Sequence, residues 1–136
     1  MKREGMLAIR RDGTTDEHWL CPSHPLVRHR VREAVSALVE VFDVDGIHLD
    51  YIRYASPSHC FCPVCRSHFQ RAVGEVLEEW PGELPSGRLG RQWVAFRQQR
   101  VDSMVREISA LRRRRHPGAV LSAAVFPDPE RAGRVL

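Results

Sequence analysis

The segment Asp45-Gly46-Ile47-His48-Leu49-Asp50-Tyr51-Ile52-Arg53-Tyr54 decides how this chain is interpreted. Its core reads as a short buried strand that carries polar side chains towards one end. Alternation along a strand places His48 and Asp50 on one face and Tyr51 on the other. An unpaired carboxylate is costly to bury. A carboxylate at the exit of an apolar strand therefore indicates a functional site.

The rest of the chain predicts helices around this strand and a second strand after them. Apolar residues recur at helical spacing in three segments, and a short apolar run near the carboxyl end suits a buried strand. Ser23 is a plausible cap for the first helix, and residues 14–22 read as loop. Strands separated by helices predict a parallel pair joined by a crossover. The predicted helices are 25–42, 63–80 and 89–115, and the second strand is 119–126.

Several pieces of the sequence resemble one known family. Residues 42–54, FDVDGIHLDYIRY, resemble the fourth-strand signature of the glycosyl hydrolase-like 10 family, which is similar to glycoside hydrolases with a TIM-type barrel. Other matching pieces follow in the family's order: WLCPSHP at 19–25, Trp93 with Phe96-Arg97, and LSAAVFP at 121–127. The resemblance covers nearly all 136 residues.

The resemblance implies an α/β chain that is part of a (β/α)8 barrel. A complete barrel needs about 250 residues, whereas this chain has 136. We therefore expect one domain, residues 1–136, with about two parallel strands and flanking helices, incomplete at both ends. Because a partial barrel leaves strand edges uncovered, we expect that the remainder of the barrel completes the fold and that the chain alone lacks activity.

The family resemblance implies hydrolysis of O-glycosidic bonds in a polysaccharide or glycan. Glycosidases use two carboxyl groups at the scissile bond, and barrel sites lie at the carboxyl ends of strands. Asp50 is then the catalytic carboxylate, as nucleophile or base. Arg53 would support its ionised form, and His48 would hydrogen-bond a sugar hydroxyl. The alternative is a structural ion pair between Asp50 and Arg53. No cofactor is required for this chemistry.

Aromatic residues and a second carboxylate complete the expected site. Trp19 and Tyr54 are candidate substrate-binding residues, because their rings offer apolar faces to sugars. Tyr51 is a weaker candidate, since alternation points it away from Asp50. Asp128 and Glu130 follow the second strand, so either could supply the second carboxylate, although the partner acid could equally lie outside this sequence.

Four cysteines form the second chemical signal. Cys60, Cys62 and Cys65 are close enough in sequence to bind one tetrahedral metal ion, with Cys21 as a fourth ligand. His68 is the alternative fourth ligand, because it shares a helix face with Cys65. A structural zinc ion is one interpretation. Reduced cysteines packed as small apolar residues, or a disulfide in an exported parent, are the others.

Charge and composition limit the remaining classes. The net charge of +4 owes much to the cluster 112–115, four consecutive arginines. Such a cluster suits the end of a helix, where cations complement the macrodipole, so nucleic acid is a disfavoured partner. A non-catalytic carbohydrate-binding barrel and a small zinc-stabilised basic nucleic-acid-binding module are the rival functions. The sequence shows no membrane span and no signal peptide. It leaves the localisation open, and an exported parent protein is one of the alternatives.

Overall fold

The computed structural model describes residues 5–82, 84 and 87–125. These residues form two small sheets and three helices. The elements are β1 (Leu7–Ile9), β2 (Thr15–Leu20), α1 (Pro25–Val41), β3 (Gly46–Leu49), α2 (Pro63–Val73), α3 (Gly87–Arg115) and β4 (Val120–Ala123). The fold is thus mixed α/β, and the described residues do not form a complete barrel.

Strands β3 and β4 pair in parallel, as the sequence predicts. Residue 46 lies opposite Val120 and residue 49 opposite Ala123. Backbone bonds extend the pairing at both ends, from Val120 N to the Asp45 oxygen (2.8 Å) and from Ala124 N to the Leu49 oxygen (2.9 Å). Helices α2 and α3 separate the two strands along the chain, which gives the crossover that parallel pairing requires.

The prediction that both strands are buried is wrong for the described residues. In β3 and β4, exposed and partly buried positions alternate. Ile47 and Leu49 face a cluster that contains Val35, Met104 and Ile108, and Val120 on the other face is 65% exposed. Helices α1 and α3 thus cover one face of the pair, and the other face is open.

Residues 14–22 were expected to be loop, but most of them form a strand. Strand β2 pairs with β1 in an antiparallel hairpin. Asp12 and Gly13 form the turn: the Asp12 carboxylate accepts from Thr14 N at 2.9 Å, and Gly13 has φ +85°. Turn chemistry of this kind suits a tight reversal. The composition of β2 is polar and gives no apolar alternation, and Asp16 is the one buried residue among its six.

Two helix boundaries also differ from prediction. His24, rather than Ser23, caps α1, with its Nδ1 accepting from Leu26 N at 3.2 Å. Helix α2 ends at Val73 instead of residue 80, because Gly74 takes a left-handed conformation (φ +74°) that closes the helix. Helices α1 and α3 agree with the predicted ranges to within two residues.

The core has two apolar clusters. The smaller one lies between α1, α3 and the β3–β4 pair. The larger one joins the hairpin, α2 and α3 through aromatic rings. Trp93 packs against Phe61, Phe69, Trp80 and Phe96 at centroid distances of 5.0–5.4 Å. Trp93 is therefore a core residue, and Trp80 is partly buried against the same cluster.

Some predicted features lie outside the described residues. These are Phe126 at the end of the predicted second strand and the candidate second carboxylates, Asp128 and Glu130. Among the described helices, none is both long and apolar enough to span a bilayer.

Replacing Gly46 with alanine tests the close pairing of β3 and β4. An added Cβ would lie 2.8 Å from the Val120 oxygen, a backbone atom that cannot move without opening the pair. We expect Gly46→Ala to lower the free energy of unfolding by about 1–3 kcal/mol, as overpacking does. Urea denaturation measures the change.

Gly118→Ala is the matched control, because nothing lies within 4 Å of its added Cβ. Its free energy of unfolding should stay within about 1 kcal/mol of the original, since an unstrained Gly-to-Ala change has small effects. Equal effects of the two substitutions would contradict the close pairing.

Candidate functional site

A cleft of about 580 Å³ opens at the carboxyl end of β3. Its floor comes from the apolar cluster between α1 and α3, including Val31 and Ile108. Its rim carries polar and aromatic side chains from β2 and from the segment after β3. The rim residues include Trp19, His48, Asp50, Tyr51 and Arg53.

Asp50 lies at the first position after β3 and its side chain is exposed. The carboxylate accepts a hydrogen bond from Tyr51 N at 2.8 Å. Asp50 also borders a second, smaller hollow of about 320 Å³, which Ala124 and Val125 line beyond the end of β4. The carboxylate therefore stands between two concave surfaces at the carboxyl ends of two parallel strands.

Tyr51 lies on the cleft, contrary to the alternation argument. Its backbone takes a left-handed conformation with φ +53°. Such a conformation is unusual for a bulky residue and is often found at functional sites. Because β3 has already ended at Leu49, the strand period no longer governs residue 51. The 61%-exposed ring thus faces the same rim as Asp50.

Trp19, Tyr51 and Arg53 form one aromatic and cationic wall. The two ring centroids are 5.7 Å apart in an edge-to-face arrangement. The Arg53 guanidinium carbon lies 4.9 Å from the Tyr51 centroid and 5.5 Å from that of Trp19. Its Nη1 also donates to the Ala55 oxygen at 3.4 Å. The wall joins β2 to the segment after β3. Support of the ionised Asp50 by Arg53 stays a prediction.

His48 is exposed on the open face of the strand pair. Its Nδ1 lies 2.9 Å from the Ser122 hydroxyl, and the two residues are register partners in β3 and β4. The hydrogen bond fixes the imidazole across the pair, two residues before Asp50 along the chain.

The second site is a cluster of four buried thiols, which we call the thiol cluster: Cys21, Cys60, Cys62 and Cys65. Their sulfur atoms all lie within 4.8 Å of one another. The Cys21 Sγ is 3.4 Å from the Cys65 Sγ and 3.5 Å from the Cys62 Sγ. Four mutually close thiolate-forming side chains are compatible with a structural metal site.

The four thiols shift one another's pKa in opposite directions. The hydrogen bond with Cys60 raises the pKa of Cys21, and that with Cys21 raises the pKa of Cys65. Hydrogen bonds with Cys21 and the other two cysteines lower the pKa of Cys62. Backbone groups also donate to the sulfurs, from Ile9 N to Cys60 at 3.4 Å. Four thiolates this close repel one another unless a cation lies among them.

Comparison with protein-family models matches residues 1–131 to the family described as glycosyl hydrolase-like 10. The match spans both sites. The chain belongs to the glycosyl hydrolase-like 10 family. This confirms the resemblance that the strand motif and its flanking pieces indicated.

A curated relative gives a weaker match. An S-layer-related protein of Niallia circulans is 29% identical to this chain over 101 residues. The aligned stretch covers 66% of this chain and 6% of the relative. The chain therefore spans a small part of the length of this relative.

Tyr54 of this glycosyl hydrolase-like 10 chain does not lie on the cleft, which corrects its assignment as a substrate-binding residue. Its side chain is 1% exposed, and its hydroxyl lies 3.1 Å from the Ser23 Oγ. The guanidinium carbon of Arg97 lies over the Tyr54 ring, 4.5 Å from its centroid. Tyr54 belongs to the larger core cluster, because the segment after β3 turns towards the core before it reaches the cysteines.

His68 is not one of the converging ligand atoms, so the alternative ligand set receives no support from the structure. Cys21 completes the thiol cluster instead. His68 is partly buried and lines a separate hollow of about 450 Å³ beside Arg28 and Arg100.

Sequence reasoning missed a buried polar chain beside the cysteines. The Asp16 carboxylate lies 3.1 Å from His59 Nε2, and His59 Nδ1 lies 2.9 Å from the Ser56 Oγ. A backbone donor, His18 N, lowers the pKa of Asp16, and burial lowers the pKa of His59. Arg97 Nη2 donates a hydrogen bond to the backbone oxygen of Ser56 at 2.7 Å. No local pattern signals the pair of Asp16 and His59, because the two residues are 43 positions apart in sequence.

The arginine cluster lies at the end of α3, as the macrodipole argument predicted. Arg115 pairs with Glu40 at 2.7 Å, and Arg112 donates to the Pro117 oxygen at 3.1 Å. Part of the positive charge is thus engaged within the protein.

Replacing Tyr54 with phenylalanine tests its structural role. Loss of the hydroxyl leaves the buried Ser23 Oγ without this partner, and such losses cost about 1–3 kcal/mol. We expect Tyr54→Phe to lower the free energy of unfolding by that amount in chemical denaturation. Tyr51→Phe is the control, since its ring is exposed, and should change the value by less than about 0.5 kcal/mol. The reverse order would contradict the assignment.

Proposed function

We propose that this chain is part of a glycoside hydrolase whose catalytic carboxylate is Asp50. One observation carries the proposal: Asp50 is exposed on a cleft at the carboxyl end of a parallel strand. Functional groups of α/β barrels stand at that end. The family match supports hydrolase-related chemistry.

The geometry suits the proposed chemistry in three respects. The carboxylate stands between two hollows, which leaves room for a sugar on either side. Trp19 and Tyr51 offer apolar ring faces to a sugar ring, so Tyr51 replaces Tyr54 as an aromatic candidate. His48 engages Ser122 through Nδ1, so a sugar hydroxyl would bind at Nε2.

We also propose that β3 and β4 are two neighbouring strands of a (β/α)8 barrel. Their parallel pairing and the helices between them fit two successive strands of such a barrel. The open strand edges and the exposed side of the pair would be covered by further units. The complete activity would then require those units and a second carboxylate.

The substrate class we propose is a glycan of the cell envelope. The relative in Niallia circulans is named as S-layer-related, and this name supports the choice. Carbohydrate is accordingly the proposed partner.

Replacing Asp50 with asparagine tests the proposed catalysis. A full-length parent protein that contains the remaining barrel units is incubated with a panel of cell-envelope polysaccharides, and released reducing ends are measured. Removing a catalytic carboxylate should lower the rate at least about 100-fold, because general acid–base groups contribute that much or more. Asp45→Asn is the matched control: it changes an exposed aspartate at the other end of the same strand, and the rate should persist.

Undiminished hydrolysis in Asp50→Asn would refute Asp50 as the catalytic group. A second candidate function is non-catalytic carbohydrate binding. It is favoured because Asp50 is the only carboxylate among the described residues that line the cleft. Glycan binding by the full-length parent protein without any release of reducing ends would support this candidate over the hydrolase.

We further propose that the thiol cluster binds one structural zinc ion. Zinc binds four thiolates at about 2.3 Å in a tetrahedron, which places the sulfurs about 3.8 Å apart. The observed separations, from 3.4 Å to at most 4.8 Å, bracket that value. Burial of all four cysteines suits a closed structural site rather than a catalytic one, which keeps an open position.

Metal analysis of the purified chain tests the zinc proposal. We expect one zinc per chain and, after exchange to cobalt, the visible absorption of a tetrahedral thiolate site. Cys65→Ser should weaken zinc binding more than about 100-fold, since loss of a ligand exceeds the loss of an outer-shell partner. His68→Ala is the control and should retain the metal. Retention in Cys65→Ser with loss in His68→Ala would refute this ligand set.

A further inference from the structure

We infer that zinc at the thiol cluster positions the wall of the cleft, so that the metal sets the geometry of the site without touching substrate. This inference rests on the zinc binding proposed for the cluster. It concerns two segments: Trp19 with the end of β2, and residues 50–59, which we call the cleft loop.

The chain itself joins both segments to the cluster. Trp19 stands two residues before Cys21, at the end of β2. The cleft loop begins at Asp50 and leads directly into Cys60. A single metal ion bound by both cysteines would therefore fix the spacing between the two segments at one end. The parallel pairing of β3 fixes the other end of the loop.

The cleft wall needs such support, because its own contacts are weak. Trp19, Tyr51 and Arg53 meet through one edge-to-face ring pair and two cation–π contacts. At exposed positions such contacts are individually small. Tyr51 also holds a left-handed backbone, which persists only where the surroundings impose it. The wall thus depends on constraints outside itself.

Buried hydrogen bonds carry the constraint from the cluster into the cleft loop. His59, the residue before Cys60, lies 3.1 Å from the Asp16 carboxylate of β2 and 2.9 Å from Ser56 Oγ. The Tyr54 hydroxyl lies 3.1 Å from the Oγ of Ser23, which is two residues beyond Cys21 in the sequence. Each bond joins the loop to a residue in the segment that Cys21 anchors, or to the loop itself.

Charge adds a further connection through α3. The Arg97 side chain is 1% exposed, lies over the Tyr54 ring and donates to the Ser56 oxygen. Burial lowers the pKa of Arg97, and negative charge at Tyr54, Cys65 and Cys60 acts against that shift. A zinc ion bound by four thiolates keeps a net negative charge, so the loaded cluster would hold Arg97 against the cleft loop.

Hydrogen exchange of the zinc-loaded and chelated chain tests this inference, with zinc content measured on the same samples. We expect amides of the cleft loop and of residues 18–22 to exchange at least tenfold faster after chelation. Amides in the middle of α3 and between β3 and β4 should change much less. Cys65→His, which keeps a Cys₃His ligand set, should restore slow exchange when zinc is added.

The outcomes separate the two proposals. A chain that binds no zinc refutes the zinc proposal, and the inference falls with it. A chain that binds zinc but shows unchanged exchange in the cleft loop after chelation refutes the inference alone. Loss of protection across α1, α3 and the strand pair also refutes it, since the metal would then stabilise the whole fold rather than position the cleft wall.

Discussion

The convergence of four buried thiols is the constraint on which the arrangement of the hairpin and the cleft wall depends. Cys21 follows the hairpin, and Cys60, Cys62 and Cys65 lie at the start of α2, about forty positions later. Their contact brings the hairpin against the segment after β3. The aromatic core around Trp93 packs against the same junction. Every residue on the rim of the cleft stands on one of the segments that meet there or on β3.

The two sites differ in their physical character. The cleft is open, with an exposed carboxylate and exposed rings, as recognition of a soluble, polar ligand requires. The thiol cluster is closed and buried, as a structural metal site requires. A shared loop connects them, so one segment carries both an accessible functional group and a buried anchor. This division lets the cleft residues stay exposed, because their backbone is held from the inside.

Local sequence patterns predicted the elements whose signals are periodic. The long stripe of α3 and the apolar core of β3 specified their own structures, and the crossover between strands implied parallel pairing. Features set by distant partners were missed or wrong. Strand β2 is polar and forms because β1 and the cluster lie beside it. Tyr54 was predicted to lie on the rim, but it is buried in the core, where its hydroxyl contacts Ser23 and its ring contacts Arg97. Tyr51 does not follow the alternation of strand β3, because that strand ends two residues earlier, at Leu49.

The sequence by itself determined the chemistry that is available: an aspartate at the exit of a strand, aromatic neighbours and four cysteines with metal-ligand spacing. These properties follow from residue type and short-range order, which the chain carries in any conformation. Only the tertiary structure decided which groups meet. It selected Cys21 over His68 for the cluster, Tyr51 over Tyr54 for the rim, and Asp16 as the partner of His59. Such choices depend on packing between segments distant along the chain, where no local preference acts.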